Sequence, residues 1–136
     1  MRVAEFLVPK AQGDVEDADV IIYYFGGSGG TAEANIDRWI GQMQQPDGSP
    51  SRARARRDTR TINGLKVSTV DISGTYIAEV RPGASERVNK PGFRLRAAVV
   101  ETPRGAYYIK MTGPATTVAA ADRDFAAPLA SLRVTS

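Results

Sequence analysis

The stretch Tyr24-Phe25-Gly26-Gly27-Ser28-Gly29-Gly30-Thr31-Ala32-Glu33-Ala34-Asn35-Ile36-Asp37-Arg38-Trp39 joins an apolar strand to an amphipathic helix through four glycines. The strand side, Asp19 to Phe25, is a run of β-branched and aromatic residues, apolar on both faces after Asp19, which predicts a central strand covered from each side. On the helix side Thr31 is placed to act as N-cap. Ile36, Trp39, Ile40 and Met43 then recur at i, i+3, i+4, i+7, the spacing of a helix from about Thr31 to Gln44 that packs one stripe inward. Gln45 to Pro50 supplies the turn residues and prolines that end it.

Working outward, Arg2 to Val8 reads as a first strand closed by Pro9, and Gly13 to Asp19 as an acidic turn. Arg52 to Ile62 and Leu65 to Ser73 flank Asn63-Gly64, a dipeptide suited to a type I′ turn because both central residues need positive φ. Gly74 marks a bulge, with strand resuming over Thr75 to Arg81, and Arg81 to Gly92 is a long polar loop. Phe93 to Glu101 and Ala106 to Thr112 form a second hairpin around Pro103-Arg104-Gly105, and Gly113-Pro114 stops the sheet. Val118, Ala121, Phe125, Leu129 and Leu132 give a last helical stripe, with Pro128 kinking or restarting it. The order predicts one α+β domain over residues 1–136, an antiparallel sheet of about six to seven strands with two helices packed on it.

At 136 residues such a domain buries roughly 68% of the surface its unfolded chain exposes, so it needs no staple. Hydrophobic residues at 42% and charged residues at 24% are ordinary for a globular chain and exclude global disorder. The chain has no cysteine, which removes disulfides, thiol catalysis and thiolate metal sites, and no histidine, the commonest nitrogen ligand. No apolar run approaches the roughly 18 residues of a membrane span, and the first residues lack the basic and apolar regions of a secretory leader. The chain therefore reads as a soluble domain, or as the mature part of an exported protein.

Chemistry is suggested at few places. Gly26-Gly27-Ser28-Gly29-Gly30 matches G-x-S-x-G, a pattern that lifts a serine nucleophile to a sheet edge. With no histidine, Ser28 would need a lysine base, and Lys10, Lys66, Lys90 and Lys110 are scattered. The same loop, Gly27, Ser28, Gly29, Gly30 and Thr31 with Arg38 as helper, could cradle a small anion at a helix N-terminus. It is neither a dinucleotide fingerprint nor a Walker sequence, and a tight turn with close helix–sheet packing is the plainer reading. Arg38 is also placed to pair with an acid such as Asp71 or Glu33.

Arg52, Arg54 and Arg56 fall on one face of the expected strand, with Ala53 and Ala55 on the other, a basic patch suited to phosphate or an acidic surface. It lacks the interleaved aromatics of single-strand binders, so nucleic acid is not the expected partner, and a solvated, aggregation-resistant edge is the plainer reading. Asp14, Glu16, Asp17 and Asp19 lack the spacing of a calcium loop, so neither a metal nor a cofactor is expected. Trp39 belongs to the apolar stripe and reads as core, and of the pair Tyr107 and Tyr108 one must point away from it.

Phe25-Gly26-Gly27-Ser28-Gly29-Gly30, Asn35-x-x-Arg38-Trp39, Asn63-Gly64-Leu65-Lys66-Val67, Asp71-Ile72-Ser73-Gly74-Thr75-Tyr76, Lys90-Pro91-Gly92 and Thr112-Gly113-Pro114 together resemble a group of uncharacterised bacterial proteins similar to the PsbP-like fold. The likeness covers most of the chain. It implies an α-β-α sandwich around an antiparallel sheet, a cell-envelope or periplasmic setting of lipoprotein type, and a leader with a further strand ahead of the position of Met1. It also implies a non-enzymatic binding or assembly role, and supplies no catalytic residues to carry over. The expected function is therefore a non-catalytic binding or assembly module with a protein partner. The alternatives are an anion-binding domain centred on Gly26 to Thr31, and a serine-dependent hydrolase without histidine.

Overall fold

A computed structural model of the chain describes residues 2–14, 16–24, 31–79 and 83–121. The glycine loop from Gly26 to Gly30, and Phe125, Pro128, Leu129 and Leu132 of the expected C-terminal stripe, lie outside the described residues. In chain order the elements are β1 (Arg2–Val8), β2 (Ala18–Tyr24), α1 (Ala32–Ile40), β3 (Met43–Gln44), α2 (Ser51–Arg54), β4 (Arg56–Ile62), β5 (Leu65–Tyr76), β6 (Lys90–Thr102), β7 (Gly105–Pro114) and α3 (Ala115–Ala120).

The strands form a seven-stranded sheet of order β1-β2-β7-β6-β5-β3, with β4 also on β5, and every pair is antiparallel. Side chains alternate between the faces of a strand, and β6 shows both uses of that rule. Leu95, Ala97 and Val99 join Val70, Ile72, Tyr108 and the α1 residues Ile36, Trp39 and Ile40 in one core. Ala98 and Val100 join Val20, Leu65, Val67, Ile109, Met111 and the α3 residue Val118 in the other. The sheet thus carries α1 on one face and α3 on the opposite one.

The Asn63-Gly64 hairpin forms as expected, Asn63 at φ 51° and Gly64 at φ 83°, with Ile62 paired directly to Leu65. The bulge expected at Gly74 coincides with a shift of the β5–β6 register between Gly74 and Tyr76. Trp39 is core, 3% exposed, and meets Tyr108 edge-on at 5.8 Å between ring centroids. Tyr108 is buried and Tyr107 is exposed, one tyrosine to each environment.

Four boundaries differ from expectation. Helix α1 stops at Ile40, where Gly41 donates its amide to the Asp37 carbonyl and the Gln42 amide bonds Trp39. Met43, the fourth residue of the helical stripe, is instead in β3 opposite Tyr76, although it reaches the same core. Arg52 to Ile62 is not one strand, because Ser51 to Arg54 make a helical turn after Pro50, whose φ of −63° suits a helix start, and β4 begins at Arg56. Alternating Arg and Ala satisfies a strand pattern while both residues are good helix formers, so the local pattern is degenerate. Strand β5 ends at Tyr76, short of the expected Arg81, with an isolated bridge between Glu79 and Arg87 beyond it. Strand β7 runs through Gly113 and Pro114 and passes straight into α3.

The edge of β5 opposite β6 is shared. Strand β4 takes Leu65 to Asp71 and β3 takes Thr75 and Tyr76. Between them the Ser73 carbonyl accepts from Gln45 Nε2 at 2.9 Å, and the same nitrogen approaches Ser51 Oγ at 3.3 Å. On the α3 side β7 and β2 approach so closely that a Cβ on Gly113 would stand 2.6 Å from Ala18 Cβ and 2.7 Å from its Cα. Because Ala18 is itself fully buried, neither strand has room to give way. Gly113→Ala is expected to cost about 1–3 kcal/mol, the usual toll of overpacking, read as a lower urea midpoint at unchanged slope.

Candidate anion-binding site

On the α3 side of the sheet, antiparallel register places Arg56 of β4 opposite Asp71 of β5, and Asp71 opposite Arg96 of β6. Arg94, two residues along β6, is on the same face. Its Nε donates to Asp71 Oδ1 at 2.8 Å and its Nη2 to Oδ2 at 2.5 Å, a bidentate fork. Arg96 Nε stands 3.9 Å from the same Oδ2. These side chains are only 19–25% exposed, so Asp71 and its arginines are weakly screened. The hydrogen bond it donates to Asp71 raises the Arg94 pKa, whereas burial, ahead of the repulsion of Arg94, lowers that of Arg96.

A cavity of about 430 Å³ opens over this row, lined by Arg54, Arg56, Arg94, Asp71, Ser73 and Gln45 among others. Three cations thus face one carboxylate, and Arg94 already occupies that carboxylate. Arg54 reaches Asp47 at 2.8 Å, but with both side chains more than half exposed the pair holds it loosely. The Arg56 side chain makes no hydrogen bond or ion pair among the described residues, which leaves its guanidinium available to a ligand. A second cavity of about 380 Å³ lies beside α1, with Ile40, Met43 and Pro50 in its wall, and Gln45 lines both.

The expected site residues divide accordingly. Gly27, Ser28, Gly29 and Gly30 lie outside the described residues, so the serine and anion-loop readings rest on sequence. Thr31 caps α1, accepting from the Ala34 amide at 3.1 Å. Arg38 pairs with neither Asp71 nor Glu33. Its Nη2 donates to Asn35 Oδ1 at 2.8 Å, because Asp71 is on the other face of the sheet and held by Arg94. The patch of Arg52, Arg54 and Arg56 is dispersed by the α2 turn: Arg52 joins Arg57 on Asp37, at 3.3 Å and 3.0 Å, Arg54 turns to Asp47, and Arg56 stays on the strand. Arg94 and Arg96 were not among the expected residues. Their signal was the alternation Arg94-Leu95-Arg96, which sets two arginines on one strand face across from Asp71.

The α1 side carries a different polar group. Buried Asn35 donates from Nδ2 to the Thr31 carbonyl and to Tyr108 Oη, each at 2.8 Å. Lys110 of β7 donates from Nζ to Gln42 Oε1 at 2.6 Å and lies 5.6 Å from the Tyr76 ring centroid. Burial, assisted by the charge of Arg38, lowers its pKa from 10.5 to about 8. Burial likewise raises Tyr76, with Tyr23 and Asp19 adding to it. Among the described residues no group of three or more histidines, cysteines or carboxylates gathers to hold a metal. No helix among them is long and apolar enough to cross a membrane.

This α+β architecture, with helices on both sheet faces, is similar to that of a solved Pseudomonas aeruginosa protein of unknown function. The match has a TM-score of 0.62 at 13% identity and covers 98% of this chain and 83% of the other, a likeness that shows the fold alone. No family model and no curated protein matches the chain.

The lowered Lys110 pKa has a consequence for stability. Between pH 8 and 10.5 the unfolded chain holds a proton at this site that the folded chain has released, so unfolding free energy rises with pH across that window. Below pH 8 both states are protonated and the full penalty of the buried cation is present. Urea midpoints from pH 7.5 to 10.5 should climb for the wild-type chain, and Lys110→Met should remove that component of the climb.

Proposed function

We propose that the chain is a non-catalytic binding module whose ligand face is the arginine-lined cavity between β4, β5 and β6, and that the feature it recognises is an anionic group. The observation that carries this reading is Arg56: a guanidinium without a partner among the described residues, lining the same cavity as an Arg94 fixed by its fork on Asp71. A fixed arginine beside a free one can share two oxygens of a carboxylate or phosphate with little loss of side-chain entropy. Gln45, 8% exposed and tied to Ser73 and Ser51, keeps the cavity wall in place.

The partner this favours is a protein presenting an acidic group, with a small free anion as the minimal ligand. Arginines on a shallow wall, without aromatic stacking faces among them, fit carboxylate or phosphate better than nucleic-acid bases. The bacterial envelope, as the place where this partner is met, is what the family resemblance implies.

The test is a titration of the chain with inorganic phosphate and with a short acidic peptide, followed by NMR at the arginine Nε–H groups. Arg56 and Arg94 should shift together and saturably. Arg56→Glu should weaken binding roughly tenfold or more, the worth of one charged hydrogen bond, while leaving the urea midpoint nearly unchanged. Arg52→Glu, altered outside this cavity, should bind as wild type. Equal affinity in Arg56→Glu, or shifts spread evenly over all surface arginines, would defeat the assignment.

A further inference from the structure

The chain has four lysines, and the structure sets Lys110 apart from the others. Lys66 faces Glu101 at 3.6 Å, and Lys90 faces Glu16 at 2.7 Å, so each ammonium has a carboxylate to hold its charge. Lys10 is exposed to water, which does the same. Lys110 has neither. It is half-buried on the α1 face, its amine against the neutral Gln42 amide at 2.6 Å and above the Tyr76 ring. No carboxylate pairs with it among the described residues.

The surroundings come from every neighbouring element. Gln42 belongs to the turn between α1 and β3, Tyr76 ends β5, Arg38 is on α1, and Asp19 and Tyr23 lie on β2 to either side of Ile21, the residue opposite Lys110. Arg38 is the charge that bears on the amine, and its sign opposes protonation. A cation desolvated and repelled in this way gains from becoming neutral.

We infer that Lys110 is a covalent modification site, at which the side-chain amine is acylated by small acyl phosphates in preference to the other lysines. The neutral Nζ lone pair attacks the acyl carbonyl carbon and a C–N bond forms. The C–O bond to phosphate breaks, phosphate leaves with the bonding pair, and one amine proton passes to solvent. The product is an uncharged amide that keeps an N–H for Gln42 Oε1 and ends the opposition to Arg38. A half-buried amine under the α1–β3 turn admits a donor of acetyl size more readily than a bulky one. The value of about 8 accords with this geometry, since it leaves a much larger share of neutral amine at physiological pH than an ordinary lysine has.

The experiment is competitive labelling of the intact chain with limiting acetyl phosphate at pH 7.5, resolved by peptide mass spectrometry. Lys110 should acquire acetyl on the order of tenfold faster than Lys66 or Lys90, a gain smaller than the free-amine ratio because nucleophilicity falls with basicity. Its rate against pH should bend near 8, Arg38→Gln should move that bend upward, and the preference should vanish when the chain is unfolded in urea. A Lys110 rate equal to or below that of Lys66, or a bend near 10, would overturn the inference. So would a preference that persists in urea, because it would then owe nothing to the fold.

Discussion

Strand β6 has both faces covered. Leu95, Ala97 and Val99 on one side and Ala98 and Val100 on the other are all almost wholly out of water, so the strand forms the shared floor of two separate cores. Alternating side chains cannot be moved from one core to the other without slipping the register by one residue, which would turn Arg94 and Arg96 onto the α1 core face. The register of β5, β6 and β7 is consequently fixed by burial from both directions. The polar chemistry of the molecule follows from that same register. It aligns Asp71 with Arg56 and Arg96 near one helix, and places Lys110 beneath the other.

Asp71 and Lys110 illustrate opposite solutions to a charge on an interior strand. Asp71 is surrounded by more guanidinium than it can neutralise, and the surplus faces the cavity. Lys110 is given an amide and an aromatic ring, and burial withdraws part of its affinity for a proton. The first arrangement favours an incoming negative group, and the second disfavours the molecule's own positive one. They lie on opposite faces of the sheet, with the β5–β6–β7 segment between them, so occupancy of one has no direct contact through which to alter the other.

Much of the architecture was legible because it depends on neighbours in sequence. The Asn63-Gly64 turn sets the β4–β5 register by itself, and the β-branched and aromatic run of β2 announces an interior strand, although Ile21 to Tyr24 are only half-buried there. What the sequence left open depends on partners far along the chain. The fork between Arg94 and Asp71 requires the β5–β6 register, and residues 77–89 separate those strands in sequence, so no count of residues fixes it. The environment of Lys110 requires knowing that α1 ends at Ile40, early enough for Gln42 to turn back over β7. The α2 turn was hidden for a local reason, since the Arg and Ala that alternate there suit either conformation and Pro50 decides between them.

The place where Gln45 fills in for backbone, between β3 and β4, has a bearing on how the molecule meets copies of itself. A sheet border invites another strand only if its peptide groups continue unbroken for several residues. Here that border is cut into two short lengths that leave the line of β5 at different points, with a side-chain amide serving Ser73 in the interval. The longer length, β4, carries Arg56, Arg57, Asp58 and Arg60 along its exposed run. A second chain would find the border interrupted at Ser73 and a row of charges along the seven residues of β4, so this side of the molecule is guarded against fibre-like stacking.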